Sequence, residues 1–410
     1  MRLLVVTNGL PPSATGGAEA LAYQTSEALA ERHEVLVLSG TPAGPDPPFP
    51  VTELPLLPKL PPTSSPARKI AWHVRDQWRP GIAKQVVREL RRHQPDVAVT
   101  HNVQGLSAAV FTALGRCRTP HLHMAHDLNL LCARTSMTKG LQPCSRREPE
   151  CLVQRCVRGG AVRRRLDLLV TPSEFVRARH VEFGIVPEHA AVVLPHAVRA
   201  ISPRVRRLTG ESLQVGFIGT LVDFKGVATL LDAFEGAPEY WRLAIAGSGP
   251  LQARVEQAAR ADRRISYWGQ VSGPRKDEFY DGLDLLVVPS ECEETSPLVV
   301  AEAAARGIPS IVSDRGGLPY HHGVRVFSAG NADALLDAIR WFPAVPDRLA
   351  QCSAGLIAGH QEYSWDRYVQ ELEDLLHIVR TRAPLPTLRR SERRRGPGPG
   401  TGRWSDGNRA

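Results

Sequence analysis

The fold of this chain is decided by the stretch Val287-Val-Pro-Ser-Glu-Cys-Glu-Glu-Thr-Ser-Pro-Leu-Val-Val-Ala-Glu-Ala-Ala-Ala-Arg-Gly-Ile-Pro309. The apolar run that leads into it, residues 283–288, predicts a buried parallel strand. Ser296 and Pro297 are preferred residue types at a helix N-cap and at the first helical position, so they predict a helix that starts at Pro297. Gly307 suits a left-handed C-terminal cap and predicts the end of that helix, before another strand.

The start of the predicted helix is suited to bind phosphate. The unpaired N–H groups of Leu298 and Val299 would point out of it, with the positive end of the helix dipole behind them. Glu294 lies in the preceding loop, and Glu302 lies about one and a half turns into the helix. Acids near a bound phosphate are useful only if they accept hydrogen bonds from hydroxyls, so we expect a nucleotide sugar as the ligand.

The spacing Glu294-x7-Glu302 within PSECEETSPLVVAEAAARGIPSIVSDRGG closely resembles the signature of the retaining glycosyltransferases of family 4. The resemblance implies an α/β GT-B fold, in which two Rossmann-like domains face each other across a cleft and a C-terminal helix returns to the first domain. It implies that the first Glu contacts hydroxyls of the donor sugar and that the second holds the ribose. The competing interpretation is a surface helix with solvated Glu side chains.

A chain of 410 residues exceeds what one hydrophobic core usually serves, so two domains are expected. Its composition, 42% hydrophobic and 23% charged, is typical of a soluble globular protein. We expect the following division: a Rossmann-like acceptor-side domain over residues 1–195, a hinge over 196–212, a Rossmann-like donor-side domain over 213–365, the returning helix over 366–380 and a disordered basic tail over 381–410.

The positive charge of the chain is concentrated in that tail. Eight Arg against Glu392 and Asp406 give residues 381–410 a net charge of +6 out of the formal +9. The tail either attracts anionic lipid near a membrane-bound acceptor or is simply a solvated end. No run is apolar and long enough to span a bilayer, and the N-terminus lacks a signal-peptide cleavage site, so we expect a cytoplasmic protein, peripheral at the inner face of the membrane if the tail binds lipid. We expect no nucleic-acid binding, because the body lacks a basic patch.

Two features of the first domain indicate a ligand site. The pair Gly16-Gly17 lies at a strand-to-helix turn, where glycine lets the backbone approach a ligand closely or simply completes a tight turn. His126 follows a predicted strand, residues 121–125, at the carboxyl end where open parallel sheets bind ligands. By resemblance, the glycines face the donor phosphates and sugar, and His126 contacts the donor sugar.

The second domain carries the remaining positions of the family pattern. The resemblance assigns donor binding to Gly219, Thr220, Lys225, Gly247, Thr295, Ser296, Leu298, Val299 and Glu302. Lys225 matches the Lys that binds the diphosphate. Thr220 stands where the family has a partner Arg, so half of the cationic clamp is missing, and Arg275 or Arg315 could substitute for it.

An amphipathic stretch, Ile70 to Arg92, predicts one helix that contains Trp72 and Trp78. We favour a helix packed on the sheet over one that lies on an anionic membrane surface, which is the alternative. The preceding residues, 41–66, are rich in Pro and predict an irregular excursion over the surface.

Four of the seven cysteines lie close together in a basic, turn-rich insert at about residues 132–158. They are Cys132, Cys144, Cys151 and Cys156. The spacing is not that of a standard zinc ribbon, and both a structural Zn²⁺ site and unligated thiols stay open. Disulfides come third, because cytoplasmic thiols are kept reduced.

The resemblance therefore implies a retaining glycosyltransferase of polysaccharide or glycolipid biosynthesis. It would move a sugar from a nucleotide-diphosphate sugar to a lipid, polysaccharide or metabolite, with no cofactor required for catalysis. Lys225 and the helix start would stabilise the leaving diphosphate, while Glu294 and His126 orient the sugar. The alternative, motivated by Thr220, is a nucleotide-sugar-binding protein without transferase activity.

Overall fold

The computed structural model describes residues 1–14, 16–58, 60–61, 64–139, 142–144, 149–199, 203–208, 212–359 and 364–383. The chain forms two compact units. The first contains Met1–Met137, Cys144–Leu194 and the chain from Tyr368, and the second contains Thr138–Pro143 and Pro195–Arg367. The basic tail predicted over 381–410 lies outside the described residues from 384 onward.

Strands and helices alternate along most of the chain. The strands are β1 (Arg2–Thr7), β2 (Glu34–Ser39), β3 (Val51–Glu53), β4 (Val97–Thr100), β5 (His121–Met124), β6 (Thr138–Lys139), β7 (Gln142–Pro143), β8 (Leu168–Thr171), β9 (Ala191–Val193), β10 (Gln214–Ile218), β11 (Arg242–Ala246), β12 (Ile265–Gly269), β13 (Leu285–Val288), β14 (Ser310–Ser313) and β15 (Val324–Phe327). The α-helices are α1 (Gly17–Ala30), α2 (Pro66–Gln77), α3 (Pro80–His93), α4 (Ala109–Arg116), α5 (Pro149–Gln154), α6 (Gly160–Arg163), α7 (Glu174–Glu182), α8 (Val227–Glu235), α9 (Gln252–Ala261), α10 (Pro274–Asp281), α11 (Leu298–Ala305), α12 (Ala332–Arg340), α13 (Arg348–Gly359) and α14 (Trp365–Thr381).

The first unit is built on a parallel sheet with the strand order β3-β2-β1-β4-β5-β8-β9. Its central strands are short apolar runs whose residues are almost completely buried, such as Leu3 to Val6 in β1. Runs of this kind suit strands that are covered by helices on both faces. The strand order reverses direction at β1, which is the arrangement of a Rossmann-like domain.

The second unit repeats this architecture with six parallel strands in the order β12-β11-β10-β13-β14-β15. β10 lies between β11 and β13, with Val215 opposite Leu243 on one side and Leu285 on the other. The carboxyl ends of β10 and β13 therefore meet at one edge of the sheet, and the loops that follow them carry Lys225 and Glu294. The predicted pair of Rossmann-like α/β domains is confirmed.

The last helix, α14, belongs to the first unit from Tyr368 onward. The carboxylate of Glu373 is buried there and lies 3.0 Å from the guanidinium of Arg32 and 3.2 Å from the imidazole of His33. Leu372 and Leu376 are buried on the same helix. The predicted C-terminal helix that returns to the first domain is thus confirmed.

The prediction of one helix from Ile70 to Arg92 is wrong. The structure has two helices, α2 and α3, because Trp78 and Arg79 are extended. Pro80 explains the break, since its ring disfavours the helical conformation in the residue before it. Packing on the sheet is confirmed for α3, whose Ile82 and Val86 are buried, but not for the outer face of α2.

The Pro-rich stretch 41–66 is less irregular than predicted. Val51–Glu53 forms β3 and pairs with β2 at the edge of the first sheet. A short strand fits there because β-branched residues follow Pro50, and an edge position tolerates a neighbouring proline. None of the helices in the described part of the chain has the length and apolar character needed to cross a bilayer.

Candidate functional site

Helix α11 begins one residue later than predicted. Pro297 is the N-cap, with φ −65° and ψ 128°, and within the described part of the chain no side chain caps the helix start. The prediction of Ser296 as the cap is wrong, because its hydroxyl lies 3.2 Å from Nε2 of the half-buried His321. At the other end, Gly307 has φ +71°, which confirms the predicted left-handed conformation. The N–H groups at the helix start are therefore not occupied by a capping side chain.

Glu294 is held beside Lys225 at the edge of the second sheet. The ammonium of Lys225 forms an ion pair with the Glu294 carboxylate, which also accepts a 2.6 Å hydrogen bond from the hydroxyl of Ser290. Burial by itself lowers the pKa of Lys225, but the negative charge of Glu294 outweighs burial and raises it above its ordinary value. A charged ammonium and a charged carboxylate thus lie side by side in the loops after β10 and β13.

A glycine makes this approach possible. Gly226 has φ +71°, and a Cβ at this position would lie 1.9 Å from the carbonyl oxygen of Pro289. Only glycine fits such a contact, so Gly226 brings the segment that carries Lys225 against the loop after β13.

Glu302 is the second acid of the motif, and it lies on α11. Its carboxylate pairs with the ammonium of Lys276 and accepts a 2.8 Å hydrogen bond from the hydroxyl of Tyr280. Burial, and then the charge of Glu302, raise the pKa of Tyr280 well above its usual value, so the phenol stays protonated and donates. Each acid of the motif therefore holds one lysine ammonium in this structure.

The loop after β14 docks on Glu294. Gly316 has φ +57°, and a Cβ there would lie 2.2 Å from the carbonyl oxygen of Glu294. The N–H of Gly317 donates a 2.6 Å hydrogen bond to the same oxygen. Arg315 consequently lies on a loop fixed to the site. Arg275, the other candidate substitute for the missing Arg, donates to the carbonyl of Trp268 at 2.9 Å.

Two histidines hold the residue that precedes Pro297. Nδ1 of His196 donates to the carbonyl oxygen of Ser296 at 3.1 Å, and His321 contacts its hydroxyl. Burial lowers the pKa of both imidazoles to about 4, so both are neutral at pH 7. Local sequence patterns give no sign of this pair, because its contacts join residues 100 and 25 positions apart.

The glycine turns after β10 and β11 lie next to each other. The N–H of Gly219 donates to the carbonyl of Ala246 at 3.0 Å, immediately before Gly247. Thr220 follows in an exposed position. The predicted glycines, Lys225 and both acids thus all lie in the second unit, and the donor-binding roles of these residues, of Thr220 and of Thr295 stay predictions.

Two family profiles match most of the chain. The profile of "Glycosyltransferase Family 4" matches residues 15–200, and that of "Glycosyl transferases group 1" matches residues 212–342. The chain belongs to the group 1, family 4-like glycosyltransferases.

Curated relatives of this glycosyltransferase are distant. A D-inositol 3-phosphate glycosyltransferase of Rhodococcus erythropolis is 28% identical over 315 residues, covering 68% of each chain. An uncharacterized protein in the cps region of Klebsiella pneumoniae is 23% identical and covers 62% of this chain and 66% of its own length. The alignments thus span about two thirds of these relatives.

Solved structures show the same fold. HepE from Anabaena, in complex with UDP, is similar with a TM-score of 0.70 and 17% identity, covering 92% of this chain and all of that one. Sucrose-phosphate synthase from Thermosynechococcus elongatus gives a TM-score of 0.70 at 18% identity, with 93% of this chain and 100% of that one covered. These likenesses confirm the predicted GT-B fold.

In the first unit of the glycosyltransferase, the imidazole rings of His126 and His101 lie edge to edge. The ring centroids are 5.1 Å apart, and Nδ1 of His101 lies 2.8 Å from Nε2 of His126. The next residue, Asp127, accepts hydrogen bonds from the N–H of Asn129 at 2.7 Å and the amide of Asn102 at 3.4 Å. Burial raises the pKa of Asp127 to about 6. The carboxyl ends of β4 and β5 therefore carry a polar cluster, as the position of His126 predicts.

The predicted glycine pair of the first unit lies at the start of α1. Gly16 is the N-cap, with an extended backbone, and Gly17 is the first helical residue. A Cβ on Gly16 would lie 2.1 Å from a carboxylate oxygen of Glu19. The turn is confirmed, whereas donor contact by this pair and by His126 stays a prediction.

The structure does not bring the four insert cysteines together. The sulfur atoms of Cys132 and Cys151 are 3.6 Å apart and both residues are buried. Cys144 lies 3.8 Å from the guanidinium of Arg134, and Cys156 is exposed. Among the described residues, no group of three or more His, Cys, Asp or Glu side chains is placed to hold a metal ion. The structural zinc site stays a prediction.

Proposed function

We propose that the second unit binds a nucleotide-diphosphate sugar and that the enzyme transfers the sugar, with retention of anomeric configuration, to a lipid, polysaccharide or metabolite. One observation carries the proposal. Lys225, in the segment after β10, forms an ion pair with Glu294, which lies in the loop that leads from β13 to the uncapped start of α11. A diphosphate needs cations and N–H donors, and a sugar needs a hydrogen-bond acceptor, and these loops supply all three.

In the proposed reaction, the bond between the anomeric carbon and the leaving diphosphate oxygen breaks while the acceptor oxygen attacks from the same face. The acceptor proton moves to the departing diphosphate. Negative charge therefore builds up on the diphosphate, where Lys225 and the N–H groups of Leu298 and Val299 stabilise it. This assignment needs no side-chain nucleophile and no metal ion, and it predicts that EDTA leaves turnover intact.

The ion pair prepares the site for its ligand. The Lys225 ammonium and the Glu294 carboxylate neutralise each other in this structure, and the Ser290 hydroxyl donates a hydrogen bond to the carboxylate. When the donor binds, its diphosphate pairs with the Lys225 ammonium, and its sugar hydroxyls donate hydrogen bonds to the Glu294 carboxylate. Because both side chains are already confined to their loops, little conformational entropy is lost on binding.

We assign the ribose hydroxyls to Glu302. Its carboxylate is largely buried and already accepts from Tyr280 and Lys276, which fix its direction. A carboxylate oriented by two donors still has free acceptor positions for a pair of neighbouring hydroxyls. HepE, the structural neighbour, was crystallised with UDP-glucose, which supports a uridine nucleotide as the first donor to try.

We assign the charge missing at Thr220 to Arg315 rather than to Arg275. Arg315 belongs to the loop whose glycines dock on the Glu294 backbone, and its side chain lies 3.8 Å from Asp314. The guanidinium of Arg275 already donates a hydrogen bond to the Trp268 carbonyl oxygen. An Arg315→Met variant should therefore lower donor turnover about tenfold or more, and Arg275→Met should leave it nearly unchanged.

The deciding experiment measures nucleoside diphosphate released from UDP-, GDP- and ADP-sugars. Glu294→Ala should abolish most of the release. Glu291→Ala is the matched control, because Glu291 lies in the same loop but accepts instead from the Thr229 hydroxyl at 2.9 Å. Tight binding of a donor, with no nucleoside diphosphate released from any donor whichever acceptor is added, would favour the alternative, a nucleotide-sugar-binding protein. Equal losses in the two variants would contradict the assigned role of Glu294.

A further inference from the structure

Helix α2 presents an apolar stripe to solvent. Ile70, Val74 and Trp78 are 65%, 65% and 45% exposed, and their spacing of four residues places them on one side of the helix and its C-terminal end. Arg68 and Arg75 are exposed beside the stripe. Large apolar side chains in this number rarely stay in water without a partner.

A second segment adds to this surface. Leu152, Val153 and Val157 are 56%, 54% and 37% exposed, and they lie on α5 and the π-helical turn Arg155–Gly159 that follows it. Six exposed apolar side chains thus come from two segments, and we call their combined surface the α2/α5 face.

The two segments are fixed to each other. The side-chain amide of Gln77 donates to that of Gln154 at 2.7 Å. The guanidinium of Arg158, which is completely buried, forms an ion pair with Asp76. Because these groups lie on the inner sides of α2 and of the turn after α5, the α2/α5 face is a preformed surface.

The charge on this face is mainly positive. Residues 66–79 contain four Lys or Arg and residues 149–165 contain five, which makes nine cations against two acids, Asp76 and Glu150. Asp76 is paired with Arg158, which is the one fully buried cation of the nine. Arg68, Lys69, Arg75, Arg163 and Arg164 are all exposed.

We propose that the α2/α5 face docks the protein on an anionic lipid bilayer. Apolar side chains enter the boundary between headgroups and acyl chains, while flanking cations meet lipid phosphates. If two copies of the chain met through this face, their cations would lie against each other and repel, which disfavours a symmetric dimer. This surface lies within the described first unit and is separate from the basic tail. The inference does not depend on the proposed donor chemistry, since docking needs no nucleotide sugar.

Vesicle flotation of the full-length protein tests the proposal. Vesicles of phosphatidylcholine with about 30 mol% phosphatidylglycerol should carry the protein, and pure phosphatidylcholine should bind it much less. The double variant Ile70→Ser/Val74→Ser should lower the partition coefficient at least about tenfold. In 1 M salt, where charges are screened beyond about 3 Å, binding of the wild type should weaken as well.

The control is Val205→Ser/Val345→Ser, which changes two exposed valines of the second unit and should bind vesicles like the wild type. Neither double variant should change the thermal midpoint by more than a few degrees, because all four side chains are exposed. Unchanged flotation of Ile70→Ser/Val74→Ser would overturn the proposal. So would loss of binding only when residues 384–410 are deleted, which would assign lipid binding to the tail, or a dimer in light scattering that the α2 variant dissociates.

Discussion

Replacing Lys225 with Met removes one charge from the site and keeps most of the aliphatic stem. In the ion pair, the Lys225 side chain is 27% exposed and that of Glu294 is 11% exposed. After the substitution, the carboxylate keeps the Ser290 hydroxyl as a donor but loses its countercharge. Since the pair is only partly exposed, we expect the free energy of unfolding to fall by on the order of 1–2 kcal/mol.

The effect on the reaction should be larger. A hydrogen bond to a charged group is worth about 1.5–3 kcal/mol, and the diphosphate loses such a contact in the transition state. This corresponds to a decrease in kcat/KM of about 10–150-fold. The upper part of that range is expected, because Thr220 offers no second charge at its position.

The assay is release of nucleoside diphosphate, together with calorimetric affinities for the nucleoside diphosphate and for the bare nucleoside. Lys276→Met is the matched control. It breaks a comparable ion pair, in which Lys276 is 31% and Glu302 is 16% exposed, but it removes no proposed phosphate contact. Lys225→Met should weaken binding of the nucleoside diphosphate but not of the nucleoside, whereas Lys276→Met should change the affinities for both ligands alike.

Two results would refute this reasoning. One is a Lys225→Met enzyme that keeps kcat/KM within about threefold of the wild type, since even the weakest charged contact should cost more. The other is a Lys276→Met enzyme that loses nucleoside diphosphate affinity as strongly and as selectively as Lys225→Met does. That result would mean that the two ion pairs do not bind different parts of the ligand, one the phosphates and the other the ribose.

Three further predictions follow from buried groups. His321→Ala should raise the KM for the donor about fivefold with a smaller change in kcat, and His321→Asn should recover part of the loss; equal effects of both variants on kcat alone would argue against a positioning role. Burial lowers the pKa of His180 to about 4. Below pH 6.5 this imidazole is therefore protonated in the unfolded chain but not in the folded protein. Its contribution should lower the free energy of unfolding by on the order of 2 kcal/mol between pH 7 and pH 5. The thermal midpoint between pH 7 and pH 5 should fall less in His180→Leu, whereas Asp127, with its pKa raised to about 6, opposes this drop. The zinc hypothesis requires about one zinc per chain in elemental analysis, removed by Cys132→Ser or Cys151→Ser, whereas wild-type protein without zinc would end it and leave unligated thiols.

The fold could be predicted because its signals are local. Short apolar runs such as Leu3 to Val6 and Leu285 to Val288 are continuous in the sequence, and buried parallel strands need such runs. Gly307 likewise has to be glycine because of its own backbone conformation. The motif with Glu294 and Glu302 lies on one loop and one helix, so its spacing carries information by itself.

The partners of those two acids could not be predicted, because they come from other parts of the chain. Lys276 reaches Glu302 from α10, and His196 and His321 reach Ser296 from separate loops. Helical and strand periodicity says nothing about such encounters. For the same reason the sequence predicts Ser296 as the helix cap, although its hydroxyl contacts the half-buried imidazole of His321.

The exposure of α2 to solvent could not be predicted from the sequence either. The pattern of Ile70 and Val74 fits a helix packed on the sheet, which the sequence favours, and also a helix on a membrane surface. Pro80 separates this helix from α3, which does pack in the core. Only the position of the helix in the first unit shows that its apolar side faces solvent.

The central claim is that the start of α11 receives a pyrophosphate and that Glu294 and Glu302 take hydroxyls on either side of it. A crystal structure with the nucleoside diphosphate that most raises the thermal midpoint, starting with UDP, measures this directly. The account predicts phosphate oxygens about 2.7–3.2 Å from the N–H groups of Leu298 and Val299 and from the Lys225 ammonium, with the ribose on Glu302. A nucleotide bound elsewhere, or one whose phosphates lie away from the start of α11, would contradict it.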